Sequence, residues 1–342
     1  MANLTWEMIP LKLRNPFRLS YGVTDTRQAF WIRLREDEGW GEGTIAPYYG
    51  ITPEALAATW QQAAEKERGF PDEVEQIAAW VGGDGPATAR TALELALYDR
   101  IGRRSGLPLY RLLDLPEPRP MPTSFTIAID TPEAMAQMAA QIQDYPIIKV
   151  KLGSEDDEAR LAAIRAARPD ARLRVDANAG WTLEGAYRHI AALEKYNLEM
   201  IEQPLAWDQI EGMGQLQRAT SIPIVADESV QSLEHVERLA AAGVAGINLK
   251  LMKVGGVTLA NRMLKRAVEL GLRVMLGCMI ETSLGTTAML HMAGLAEWID
   301  LDAPMLISND PFDGVRYDEH ATASLPIGRA GIGAVLKNPA EI

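Results

Sequence analysis

Two rhythms of apolar and polar residues divide the chain near residue 118. Before it, residues 3–14 and 28–36 alternate apolar and polar positions, the period of strands. Gly39, Gly41, Gly43 and Gly50 then read as the punctuation of a loop. Helical spacing follows. Thr52-Pro53-Glu54 supplies an N-cap, a proline for the first turn and an early acid ahead of ALAATWQQAAEKE. Pro86 opens ATARTALELALYDRIGRR, which stops at Gly106. Strands followed by helices predict an α+β unit over residues 1–118. The four prolines of LPEPRPMP (115–122) read as a linker.

From residue 119 to 305 the grammar is strand, helix, strand, helix. Short apolar runs centre near residues 127, 148, 174, 200, 225, 248, 275 and 299, separated by Ala/Leu/Glu-rich stretches such as PEAMAQMAAQI and LEHVERLAAAG. Eight strands at such even spacing predict an α/β fold, a (β/α)8-type (TIM-like) barrel. An open doubly wound sheet has the same alternation and stays an alternative, because periodicity does not report closure. The tail, 306–342, has only short apolar runs and is expected to pack back on residues 1–118, completing an α+β capping domain.

Composition narrows the chemistry. With 34 Lys+Arg against 46 Asp+Glu the formal charge is −12, which disfavours nucleic acid as a partner. The single cysteine, Cys278, excludes an internal disulfide and a cysteine-rich zinc site. The four histidines, His189, His235, His291 and His320, include no i, i+4 pair for a helical metal site. There is no 18-residue apolar run and no leader-like start, so no membrane span and a cytoplasmic location are expected. Acid–base or metal chemistry must therefore rest on carboxylates and lysines.

In such barrels the site lies at the carboxyl ends of the strands. Asp176, Glu202 and Asp227 end strands three, four and five. Three converging carboxylates repel unless a hard cation joins them; an all-oxygen set suits Mg²⁺, with Mn²⁺ as the substitute. The alternative is that each caps the following helix. Lys151 and Lys250 end strands two and six, flanking those acids, and Lys149 shares a face with Lys151. They are candidate acid/base groups if a cation and desolvation lower their pKa values, or partners in ion pairs with the acids. Asp300 and Asp302, on strand eight, would as unpaired carboxylates suit an ammonium group. Cys278 has no histidine near it in sequence and is expected to pack rather than attack.

KVK (149–151), DANAGW (176–181), IEQP (201–204), ADES (226–229), NLKLMKVGG (248–256), GCMIETSLG (277–285) and DLDAP (300–304) together resemble the enolase superfamily, in its muconate-lactonizing-enzyme-like subgroup and, within that, the dipeptide epimerases. The likeness runs over essentially the whole chain. It implies Asp176, Glu202 and Asp227 as Mg²⁺ ligands, and Lys151 and Lys250 as paired acid/base catalysts. It implies Lys149 beside the substrate carboxylate, and Asp300 and Asp302 on the dipeptide ammonium. Thr126, Gly22, Asp25 and Cys278 are further expected around the substrate, with Asn178 and Glu228 behind the metal ligands. One lysine would take the α-proton of the C-terminal residue and the other would return one to the opposite face, through an ene-diolate; that use of a basic side chain with Mg²⁺ is the superfamily's general pattern.

Two departures stand out. Ala179 replaces a glutamine common in DANQGW. In FRLSYGVTDT (17–26), Gly22 stands where Ala-Glu epimerases carry an arginine, with Arg18 and Arg27 at either side. This points away from Ala-Glu, toward cationic or apolar dipeptides. The alternatives are an o-succinylbenzoate synthase or N-succinylamino acid racemase, whose substrates lack a free ammonium, and a non-catalytic barrel that binds amino acids or peptides. The implied partner is a small dipeptide; homo-oligomerisation is left open.

Overall fold

The computed structural model describes residues 4–19, 22–35, 37–45, 50–153 and 156–338. Asn3 and Glu36 at the ends of the two expected strands, Ser20 and Tyr21 in the early loop, and the last four residues of the tail lie outside them.

The chain opens with an antiparallel sheet of β1 (Leu4–Leu19), β2 (Gly22–Leu34) and β3 (Gly39–Thr44). In FRLSYGVTDT, which reads from its sequence as a loop, the described residues 17–19 and 22–26 instead belong to the paired strands β1 and β2, with Phe17 opposite Thr24 and Arg18 opposite Val23. Its strands are largely exposed, so no burial imposes the alternation by which strands are recognised. Residues 39–44 are also strand rather than loop. Helix α1 (Pro53–Ala64), capped by Thr52, and the short α2 (Ile77–Val81) precede α3 (Ala87–Ser105), which ends on Gly106 at φ 72°. A Cβ at Gly39 would collide with the Ala96 carbonyl oxygen, and one at Gly41 with that of Ala92. Glycine recurs at every second position because the backbone of α3 lies directly on that face of β3. Trp60 is fully buried against Phe30, ring centroids 5.4 Å apart, and closes the core between sheet and helices.

After α4 (Leu109–Leu112) and the two-residue β4 (Met121–Pro122), the barrel strands run β5 (Phe125–Ile127), β6 (Ile147–Lys151), β7 (Arg172–Asp176), β8 (Leu198–Glu202), β9 (Ile224–Ala226), β10 (Gly246–Leu249), β11 (Arg273–Gly277) and β12 (Trp298–Asp300). They pair in parallel in chain order throughout. Without an order reversal there is no switch point, so the doubly wound alternative falls. Helices α5 (Pro132–Gln141), α6 (Asp157–Ala167), α7 (Leu183–Leu193), α8 (Ile210–Ala219), α9 (Leu233–Ala242), α10 (Leu251–Val254) with α11 (Val257–Glu269), and α12 (Ser283–Leu290) separate them. Among the described residues the one helix after β12 is the four-residue α13 (Ala303–Leu306).

The seam between β5 and β12 is closed mainly by side chains. The Ser124 amide reaches the Ile299 carbonyl at 3.4 Å, Ser124 Oγ donates to Asp300 Oδ1 at 2.6 Å, and the Thr126 amide donates to Asp302 Oδ2 at 2.7 Å. Met200, Val225, Met275 and Trp298 fill the barrel interior below the polar layer.

The tail touches both parts of the chain. Phe312 sits edge-on to Trp31 and Trp40, and the Ile332 amide donates to Asp99 in α3 at 2.9 Å. Tyr317 donates its hydroxyl to the Leu301 carbonyl of the barrel at 2.5 Å. Among the described residues no helix is long and apolar enough to cross a membrane.

Candidate active site

In parallel strands, residues two apart share a face. Strands β6 to β10 accordingly turn Lys149 and Lys151, Asp176, Glu202, Asp227 and Lys250 toward one mouth, covered by the β1–β2 hairpin. One cavity is lined by Thr126, Lys149, Lys151, Asn178, Asp227, Lys250, Cys278, Asp300 and Asp302. Nine residues singled out from the sequence thus come together.

Asp176, Glu202 and Asp227 each bring a carboxylate oxygen within 4.8 Å of the others. Burial lifts the Glu202 carboxyl to about 8, with Asp176 pressing the same way and Lys149 opposing. Burial also acts to raise Asp176, but Lys149 and Lys151 outweigh it and hold that acid at about 2. Three buried hard-oxygen donors in so small a space, one resisting ionisation, fit a divalent metal site. Neighbours fix their orientation. The Asn248 amide donates to Glu202 Oε1 at 2.8 Å. Gln203 Oε1 accepts from the Asp227 amide at 2.7 Å, and Gln203 Nε2 reaches Ser229 Oγ at 2.9 Å, tying the ends of β8 and β9 together.

The lysines are paired. Lys151 Nζ lies 2.7 Å from Asp176 Oδ2, and Lys250 Nζ 2.9 Å from Asp227 Oδ2. Lys149 Nζ lies 3.0 Å from Asp176, 2.6 Å from Glu202 and 2.7 Å from Asp300. Burial works to lower Lys250, but Asp227, Glu202 and Asp300 hold it well above the ordinary lysine value. This is opposite to the lowering that a base near neutrality needs. A divalent cation held by the same carboxylates would weaken their pull on the lysine and act in the direction a base needs.

Asp300 and Asp302, expected to be unpaired, are both engaged, because strand eight must be joined to strand one at the seam. Asp300 holds Ser124 with one oxygen and Lys149 with the other. Asp302 Oδ2 accepts from the Thr126 amide at 2.7 Å. Burial, with Asp300 beside it, raises the Asp302 carboxyl to about 6.

Gly22 and Asp25 do not reach the cavity; both are exposed toward the end of the hairpin. Arg27, two residues nearer the body of the sheet, lines it with Phe17, Thr44 and Ile45. Glu228 lies behind Asn178, whose side-chain amide donates to it at 3.2 Å. Cys278 Sγ donates to the Asp300 carbonyl at 3.3 Å, and burial pushes its thiol well up, which suits packing rather than attack. Lys253, not singled out from the sequence, is buried against Asp227 Oδ1, the Asp227 carbonyl and the Asn248 carbonyl. Its three-residue spacing from Lys250 on the helical turn of α10 was the available signal.

Residues 3–114 match the family described as mandelate racemase / muconate lactonizing enzyme, N-terminal domain, and residues 132–339 that described as enolase C-terminal domain-like. The chain is 34% identical to an L-Ala-D/L-Glu epimerase of Bacteroides thetaiotaomicron, over 92% of this chain and 83% of that protein. It is also 34% identical to a hydrophobic dipeptide epimerase of Roseobacter litoralis, over 97% of this chain and 98% of that one. The solved dipeptide epimerase from Cytophaga hutchinsonii, complexed with Mg and D-Ala-L-Val, superposes with a TM-score of 0.92 at 29% identity, covering 98% of this chain and 96% of the other. By sequence, fold and the acids at the ends of its strands, the chain belongs to the mandelate racemase / muconate lactonizing enzyme family of the enolase superfamily.

Proposed function

We propose that the protein is a Mg²⁺-dependent dipeptide epimerase that inverts the α-carbon of the C-terminal residue. The observation that carries this is one cavity lined by Lys151, Asp227 and Lys250, the two lysines from strands on opposite sides of the barrel, with the carboxylates of Asp176 and Glu202 within 4.8 Å of that of Asp227. Those three residues would hold Mg²⁺, with Mn²⁺ as substitute. When bound, the ion supplies positive charge opposite the substrate carboxylate and so acidifies the neighbouring α-proton.

The chain's own groups do the rest. One lysine takes the α-proton from one face. Lys149, buried and cationic, faces the negative charge that then develops on the carboxylate as the substrate becomes an ene-diolate. The other lysine delivers a proton to the opposite face. Two bases are needed because one base returns its proton to the face it came from and retains configuration. Asp302 and Asp300 receive the ammonium. An N-acylated amino acid would bring no α-ammonium to them, which makes the succinyl-substrate alternatives the weaker reading.

For the C-terminal side chain, Phe17, Ile45, Ile280 and Leu306 on the cavity wall favour an apolar group. Arg27 on the same wall works against a cationic one, so of the two classes expected from the sequence the apolar is kept. Arg27 also supports a second reading, an acidic side chain. The test is α-proton exchange in D₂O across a dipeptide library, with Mg²⁺ and then with EDTA. Metal-dependent exchange at the C-terminal residue is expected, with Ala-Leu ahead of Ala-Glu. Ala-Glu as the best substrate would favour the second reading, and no exchange from any dipeptide would end both.

A further inference from the structure

Beside the lysine cavity lies a second and larger one, about 500 Å³ against about 70 Å³. Phe17, Thr126 and Leu306 are common to both. The larger cavity sits between the β1–β2 hairpin and α5, where the apolar Phe125, Ile129, Met135 and Met138 line it beside the polar Arg14, Arg18, Asp130 and Gln137. The hairpin is fixed over this space, because the Ile129 amide donates to the Arg18 carbonyl at 3.0 Å. With α13 only four residues long, no full helix among the described residues follows the eighth strand to fill the room beside α5. Its size falls within the range of small-molecule sites, and thioether and aromatic walls adapt to apolar groups.

Its position decides the occupant. The Thr126 amide is bonded to Asp302 Oδ2 at 2.7 Å, so the shared wall stands directly beside the carboxylate assigned to the ammonium. The carbon bearing that ammonium also bears the side chain of the N-terminal residue. On the dipeptide reading the smaller cavity holds the reacting residue and its carboxylate, so a large N-terminal side chain finds space past Phe17 and Leu306. We infer that the Met135/Met138 cavity receives the N-terminal side chain of the substrate and selects bulky apolar residues there. This rests on the dipeptide reading above and adds to it the class of the first residue.

The test is calorimetric binding, with Mg²⁺ present, of Gly-Ala, Ala-Ala, Leu-Ala, Phe-Ala and Trp-Ala to the full chain, alongside D₂O exchange. Affinity is expected to rise at least tenfold from Gly-Ala to Phe-Ala. Ala134→Phe, which fills the cavity from α5, should cut the preference for Phe-Ala over Ala-Ala at least tenfold. Met138→Trp, one turn further along the same helix, should do the same and serves if the first variant does not fold. A flat series in a protein that binds and exchanges Ala-Ala would overturn this inference alone. Equal weakening of both ligands by both variants would also overturn it. Absence of binding and exchange for every dipeptide would overturn the function on which it rests, and this inference with it.

Discussion

Glu42, on the third strand of the N-terminal sheet, caps a barrel helix: its Oε2 accepts the Thr282 hydroxyl at 2.6 Å and its Oε1 the Thr282 amide at 2.9 Å. The Gly285 amide adds a third donor at 3.0 Å. Helix α12 follows directly on Cys278, Met279 and Ile280, which line the lysine cavity. The contact therefore joins the cover of the site to its wall. Glu42→Ala removes the acceptor for two buried amides, so a loss of about 2 kcal/mol is expected, read as a lower urea midpoint.

Glu94, in α3, does the same for α11, accepting from the Thr258 amide at 2.7 Å. That helix start, after Gly255-Gly256, is thus taken by the protein's own carboxylate. Burial raises Glu94 to about 7, above its unfolded value of 4.5, with the Thr258 bonds opposing. The folded state then holds a proton that the unfolded state has released. Stability from this group is full below about pH 4.5 and declines as pH rises to about 7. Glu94→Gln, neutral throughout, should flatten the fall of Tm between pH 5 and pH 7.5. An unchanged slope would show that Glu94 titrates normally.

Gly277 makes room for Lys250. A Cβ there would stand 2.8 Å from Lys250 Cε and 2.5 Å from Asn248 Oδ1. Gly277→Ala should therefore shift the lysine and the amide that holds Glu202. Exchange in D₂O is expected to drop about 100-fold with the circular dichroism spectrum unchanged, since misplacement by about 1 Å costs that much.

Single removal of each lysine should separate the two faces. With Lys151→Ala, exchange is expected from one epimer only, with retention, and inversion should stop. Lys250→Ala should show the opposite epimer. Proton NMR of both epimers in D₂O reads this, and a variant that still inverts would remove that lysine from the two-base scheme.

Mg²⁺ should raise the Tm of the protein as its concentration passes the dissociation constant. Glu202→Gln removes the charge of one of the three carboxylates proposed to hold the ion, so the shift should shrink or vanish. An undiminished shift would place the ion elsewhere.

Much of this was legible in the chain. The eight-fold strand spacing located the barrel, and the alternation within each strand placed Lys149 with Lys151 and aligned Asp176, Glu202 and Asp227 at the strand ends. These follow from local geometry, since a period of two fixes which side chains share a face and a repeated unit fixes their level. Contacts between distant segments carry no such signature. Nothing near Gly41 announces that α3 will lie on it, and nothing near Asp300 announces that Lys149 will hold it across the seam. Arg27 rather than Gly22 or Asp25 faces the cavity because the hairpin extends past the core, and its register there is set by strand pairing rather than burial. Residue identity and backbone period thus determined the chemistry and its level in the barrel. Only the tertiary structure, by closing the seam and laying one part of the chain on another, decided which charges are paired and what surrounds the substrate.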